Sequence, residues 1–297
     1  MTDVEGHTPP ASGMELAIIT GLSGAGRTTV AKVLEDLGYF VIDNMPPALI
    51  ERVVELATGR GSEVERIALV VDVRGRAFFG DLVENLQTLR GRGLDPRVIF
   101  LEADDDVLVR RYEAARRAHP LAPDERIVEG IARERALLAD LRAHADLVVD
   151  TTESNVHELR ERITDAFAGG TRSGLVVHVL SFGFKHGTPR DADMLLDVRF
   201  LPNPHWVDGL RPLTGTDQPV REYVLSQPET VTFLEHLEPL FGMLVPAFVR
   251  EGKHYLTLAI GCTGGRHRSV ALAEELGGRI AALGVDVHVE HRDRSRS

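Results

Sequence analysis

Cysteine is almost missing from this sequence: Cys262 is the only one. No internal disulfide can form, and the compartment that suits such a chain is a reducing cytoplasm. Long apolar stretches are missing too. No run approaches the roughly 18 residues of a membrane-spanning helix, so no membrane partner is expected. The opening segment, Met1–Gly13, is acidic, polar and proline-containing. It lacks the basic and apolar parts of a signal peptide and reads as a loose tail, residues 1–13. Positive charge is also in deficit, with 34 Lys and Arg against 45 Asp and Glu, a net of −11. Residues 171–297 hold 14 of the basic and 15 of the acidic side chains, a net of −1, which leaves 20 against 30, a net of −10, for the rest. That distribution argues against a non-specific nucleic-acid coat, while the near-neutral second part can carry a local basic face.

What is present is a soluble globular composition, 43% apolar and 27% charged over 297 residues. That length fits two domains of ordinary size. The most informative stretch is Gly21-Leu22-Ser23-Gly24-Ala25-Gly26-Arg27-Thr28, which follows the apolar run Leu16–Ile19 and leads into a helical pattern. Glycines at these places let the backbone fold tightly around a di- or triphosphate, and the helix that follows adds its positive end. Thr28 stands where a hydroxyl ligates Mg²⁺. Residue 27 is Arg where the pattern G-x-x-x-x-G-K-[ST] has Lys. It keeps the charge but forks, so nucleotide binding is expected more firmly than fast turnover.

Strand-like runs then alternate with helical patterns to residue 168. The strands are Tyr39–Ile42, Ile67–Asp72, Val98–Leu101 and Leu147–Asp150. Val30, Val33, Leu34 and Leu37 mark a first helix, Pro46-Pro47 start a second, and Phe79, Leu82, Leu86 and Leu89 mark a third. Such alternation predicts an α/β fold, a parallel sheet with helices on both faces and nucleotide at the carboxyl ends of its strands. Asp72 reads as a Mg²⁺-coordinating acid at a strand end, with Asp43 as its rival. Between the last two strands lie Arg110, Arg111, Arg116, Arg117 and His119. They fit either a mobile lid that neutralises phosphate charge or a solvated helix face paired with Glu113 and Asp104–Asp106.

Residues 169–174 are small and polar and read as a linker. A second, smaller α/β domain is expected over 175–291, with strands at Leu175–Leu180, Leu195–Phe200 and His254–Ile260 and helices at 228–250 and 270–283. A turn is expected at 182–187 and a short Arg/Ser tail at 292–297. This part holds a second glycine loop, Gly261-Cys262-Thr263-Gly264-Gly265-Arg266-His267-Arg268-Ser269. Three readings fit it. Its Cys-x5-Arg-Ser spacing is that of a cysteine phosphatase, with Asp191, Asp193, Asp197 or Asp208 as leaving-group acid. It can also be a tight structural turn, or a binding loop for a phosphorylated ligand or RNA phosphate in which Arg266, His267 and Arg268 supply charge and Lys185 and His186 face the same pocket.

Taken together, GLSGAGRTTVAKVLEDLGYFVIDNMPP (21–47), RRYEAARRAHPL (110–121), SFGFKHG (181–187), DVRFLPNPHW (197–206) and GCTGGRHRSV (261–270) resemble the RapZ/YvcJ family of bacterial nucleotide-binding proteins, the RNase adapter family. The resemblance implies a P-loop kinase-like domain over 14–168 that binds and hydrolyses ATP and GTP, with Gly21–Thr28 as the ATP loop and Asp72-Val73-Arg74-Gly75 as the GTP stretch. It further implies a C-terminal domain that binds small RNA and an amino-sugar phosphate, the latter at His186, Thr263, Gly264 and Arg268, and assembly into a homo-oligomer. Arg27 and the mixed tail His291–Ser297 depart from the family pattern. A slow regulatory NTPase is the leading expectation. A small-molecule kinase with Asp43 as base is the alternative.

Overall fold

The computed structural model describes residues 14–59, 64–71, 79–167 and 175–296. The chain divides into two compact units, residues 1–171 and 172–297. The tail at 1–13 and the linker at 169–174 lie outside the described residues.

In the N-terminal unit, β1 (Glu15–Gly21), β3 (Arg66–Val71) and β4 (Arg97–Glu102) bury every residue after the first. Unbroken apolar runs of this kind belong in a sheet covered on both faces. β2 (Phe40–Met45) and β5 (Leu147–Asp150) complete a parallel sheet in the order β2-β3-β1-β4-β5. Right-handed crossovers send the connection leaving β1 one way and those leaving β2, β3 and β4 the other. Helix α1 (Arg27–Asp36) therefore shares a face with α6 (Val156–Phe167), which it contacts, while α2 (Ile50–Thr58), α3 (Phe79–Gly91) and α5 (Ile127–Ala143) touch one another in turn on the opposite face. The switch between directions falls at the carboxyl ends of β1 and β3, the place where open α/β sheets take ligands.

Two details differ from expectation. Pro47 opens a single 3-10 turn, and the α-helix proper begins only at Ile50. Helix α5 is absent from the sequence reading because its apolar positions, such as Ile131, Leu138 and Leu141, are scattered among charges.

The C-terminal unit is a parallel sheet in the order β7-β8-β6-β9, made by β6 (Val176–Gly183), β7 (Met194–Asp197), β8 (Tyr255–Cys262) and β9 (Asp286–His291). Helices α7 (Gln218–Leu225), α8 (Pro228–Glu251) and α9 (Arg268–Ala281) contribute Val220, Val224, Leu234, Phe241, Leu272 and Leu276 to one core with the strands. The expected turn at 182 starts later. Phe182 and Gly183 still pair with Gly261 and Cys262, so the strand runs on. β7 stops early because the Asp197 carboxylate accepts the Arg199 N–H at 2.9 Å and bends the chain. The tail is anchored: Asp293 is fully buried and accepts the Gly183 N–H at 2.8 Å.

Candidate functional site

The first glycine loop joins β1 to α1 at the switch point. Gly21, Gly24 and Gly26 all have positive φ, as a loop that doubles back on itself requires. Its carbonyls are held from outside. Arg111 on α4 (Asp105–Ala115) donates from Nη1 to Gly24 O at 3.0 Å, and Thr151 donates its hydroxyl to Ala25 O at 3.0 Å. In a trans peptide N–H and C=O point opposite ways, so fixing Ala25 O turns the Gly26 N–H away from Thr151. Helix α1 has no side-chain cap and no acid in its first turn, which leaves its amides to an external anion.

In front of the loop is a cavity of about 610 Å³, lined by Ser23, Gly24, Gly26, Arg27 and Thr28 on one side and Arg111, Tyr112, Arg117 and Pro120 on the other. Among the described residues none of its lining is acidic, and three are arginines. This donor set suits a polyphosphate, with Thr28 placed for a metal ion it carries. Burial lowers the pKa of Arg111, an effect that Asp150 opposes. The guanidinium stays charged throughout the physiological range.

The four arginines expected to form a lid separate into different positions. Arg111 and Arg117 line the cavity, whereas Arg110 and Arg116 are not among the lining residues. Arg116 ends α4 in the left-handed region, φ 51°, and turns the chain back toward the loop. The solvated-face alternative fits in part: Arg110, Glu113, Arg116 and Arg117 are exposed, whereas Asp105 pairs with Arg135 and His119 is fully buried. Asp43 is exposed on β2 and is not among the described lining residues of this cavity. Asp72, Val73, Arg74 and Gly75 lie outside the described residues. Sequence reasoning missed Glu134, which accepts the Ser23 N–H at 2.9 Å, and Thr151, because neither sits in a recognisable motif.

The second loop joins β8 to α9 beside a cavity of about 620 Å³. Lys185, Arg211, Arg266, Arg268 and Arg296 line it together with His205, His267 and Trp206, and among the described residues no carboxylate does. Arg211, Arg296 and Trp206 were not anticipated as site residues. His186 does not line this cavity, although its neighbour Lys185 does. Two expected anion ligands are also structural: Arg266 donates to Leu213 O and Pro212 O, and Arg268 to Arg199 O and Leu201 O. Cys262 is buried, its Sγ 3.1 Å from Ser269 Oγ and accepting the Gly265 N–H at 3.3 Å. Asp191, Asp193, Asp197 and Asp208 are all absent from the lining, so the phosphatase reading lacks its acid.

Burial holds the His267 imidazole below its ordinary pKa, and Arg266 and His205 push the same way, against bonds to the Arg211 and Leu213 carbonyls. A histidine depressed in the folded state stabilises fully above its unfolded value, about 6.5, and loses that contribution as pH falls. The melting temperature of wild type minus that of His267→Gln should therefore be largest at pH 8 and shrink toward pH 5. A difference that stays constant over that range contradicts this assignment.

The sequence model of the RapZ-like N-terminal domain matches residues 14–171, and that of the RapZ C-terminal domain matches residues 175–295. A protein of Parafrankia sp. (strain EAN1pec), named nucleotide-binding protein, is 59% identical over 286 residues, spanning 96% of this chain and 99% of its own. One of the same name from Streptomyces coelicolor is 56% identical over 282 residues, spanning 95% of this chain and 94% of its own. A shikimate kinase structure from Bacteroides thetaiotaomicron aligns with 52% of this chain and 99% of its own at 21% identity and a TM-score of 0.38, a likeness too slight to carry a conclusion. With both of its domains matched and relatives similar from end to end, the chain belongs to the RapZ family.

Proposed function

We propose that the N-terminal unit binds ATP or GTP with Mg²⁺ and hydrolyses it slowly, and that this nucleotide state regulates a C-terminal unit that binds a phosphorylated metabolite or small RNA. The single observation that carries this reading is the cavity at the start of α1, where Arg111 and Arg117 face Arg27 and a glycine loop whose carbonyls are tied outward, with no acid among the described lining residues. The names of the relatives support it. Arg27 and the loop amides hold the phosphates, Thr28 the metal ion, and Arg117 adds charge from the opposite wall. Slow turnover follows from Arg27, which keeps the charge of the usual lysine but forks instead of acting as a point donor. The second cavity, cationic in a unit of nearly balanced charge, is the counterpart for a phosphate group. This reading also carries the family's self-assembly and cytoplasmic setting to the chain.

Titration calorimetry with Mg-ATP and Mg-GTP tests the first half. Wild type should bind at least one of them, release phosphate over multiple turnovers without a second substrate, and lose about tenfold in affinity, roughly 1.4 kcal/mol, on Arg27→Ala. Absence of binding at millimolar nucleotide would overturn the reading, and a phosphorylated metabolite made far faster than free phosphate would replace it with a kinase.

A further inference from the structure

Glu134 lies on α5, beyond every stretch that the sequence singled out, and its carboxylate is buried, only 5% exposed. It gathers three donors. Oε2 accepts the Ser23 N–H at 2.9 Å, Oε1 accepts the Ser23 hydroxyl at 2.6 Å, and His119 Nε2 lies 3.3 Å from Oε2. The histidine's tautomer follows from its other nitrogen. Leu121 N–H donates to Nδ1 at 3.2 Å, so Nδ1 accepts and the proton sits on Nε2, facing Glu134. The ring is seated against Gly130, one turn before Glu134 on the same helix, where any Cβ would fall 2.3 Å from Nδ1.

On its other side Ser23 meets Arg27. With the serine proton committed to Glu134, the lone pairs of Oγ are left to accept, and Arg27 Nη2 stands 3.4 Å away. Arg27 Nη1 is 3.4 Å from Val71 O, at the carboxyl end of β3. An unbroken polar chain thus runs from the segment after α4 to the one residue of the phosphate loop that departs from the family's lysine.

A buried carboxylate beside a phosphate site is costly, through its own desolvation and through repulsion of the anion. An amide would satisfy the Ser23 N–H just as well. What the carboxylate adds is a fixed hydroxyl rotor, and through it an aim for Arg27, whose long side chain has about 2 kcal/mol of rotamer entropy to lose. We propose that Glu134 is the positioning residue for Arg27, and that the chain His119–Glu134–Ser23 ties the segment following α4 to the arginine that takes the lysine's place on the phosphates. The proposal rests on the nucleotide-binding reading given above.

A double-mutant cycle on the full chain decides it, with Kd for Mg-ATP measured by calorimetry in wild type, Glu134→Gln, Arg27→Ala and the double variant. Expected is a loss of about tenfold on Glu134→Gln when Arg27 is present and less than about twofold when residue 27 is Ala. Ser23→Ala, which keeps Glu134 and removes the hydroxyl link, should reproduce the larger loss, and it carries the test if Glu134→Gln melts early without nucleotide. Equal losses in both backgrounds, or no loss in either, would show that Glu134 acts without Arg27 and would overturn the positioning role alone. If wild type binds only Mg-GTP the same cycle is run with that nucleotide, and failure to bind either overturns the nucleotide reading and this one with it.

Discussion

Gly21→Ala should cripple the N-terminal unit, lowering its stability by about 3–5 kcal/mol, which for a unit of this size is on the order of 10 °C in melting temperature. The residue pairs with Leu101 in register and has φ 125°, and a Cβ built on it would fall 2.1 Å from Leu101 O and 2.4 Å from Leu101 N. Backbone cannot swing aside as a side chain can. That carbonyl also accepts the Leu22 N–H at 2.8 Å, so moving it would undo the first bond of the phosphate loop. Gly38→Ala provides the control: φ is also positive, 87°, but nothing lies within 4 Å of the added Cβ. It should cost only about 1 kcal/mol, the conformational penalty alone. Calorimetric unfolding of both variants checks the argument. Equal losses would mean that the close approach of β1 to β4 is not what requires glycine. The same pair should separate in nucleotide binding, lost for Gly21→Ala and kept for Gly38→Ala.

Gly21 also marks what the sequence makes legible. Its loop, the apolar runs on both sides and the helix after it are written in local pattern, because a parallel strand buried on both faces has to be apolar throughout and a phosphate loop has to be rich in glycine. Helix α5 is not written that way. Its inward residue next to the loop is a carboxylate, Glu134, and a buried glutamate looks in sequence like any solvated one. His119 illustrates the same limit: among arginines it reads as part of a charged lid, yet it is fully buried and bonded. In the second unit the loop at 261–269 is legible from its spacing. The cations opposite it, Arg211 and Arg296, come from segments about 50 residues before the loop and roughly 30 residues after it. Only the packing of the sheet's carboxyl edge brings them there. β9 was hidden for a related reason, since Val287 and Val289 alternate with acids and histidines that resemble the tail after them.

Arg268 makes the second large prediction, and it separates folding from binding. The side chain is 4% exposed, with Nη1 donating to Arg199 O and Leu201 O at 2.8 Å each and Nη2 to Thr263 Oγ1 at 3.1 Å. Its Nε is buried with no partner among the described residues. Truncation to Ala removes the donor from both carbonyls and should cost about 3 kcal/mol, so loss of ligand binding in Arg268→Ala would say little about recognition. Lys185 is the better probe. It lines the same cavity, is exposed, and among the described residues its side chain makes no hydrogen bond or ion pair that truncation would break. Inorganic phosphate should raise the melting temperature of wild type, since an anion held only by the folded cavity shifts the equilibrium by mass action. Lys185→Ala should match wild type without phosphate and respond less to it, whereas Arg268→Ala should melt early at every concentration. If Lys185→Ala responds to phosphate as fully as wild type, the anion is not held in this cavity, and the C-terminal half of the proposed function loses its physical basis.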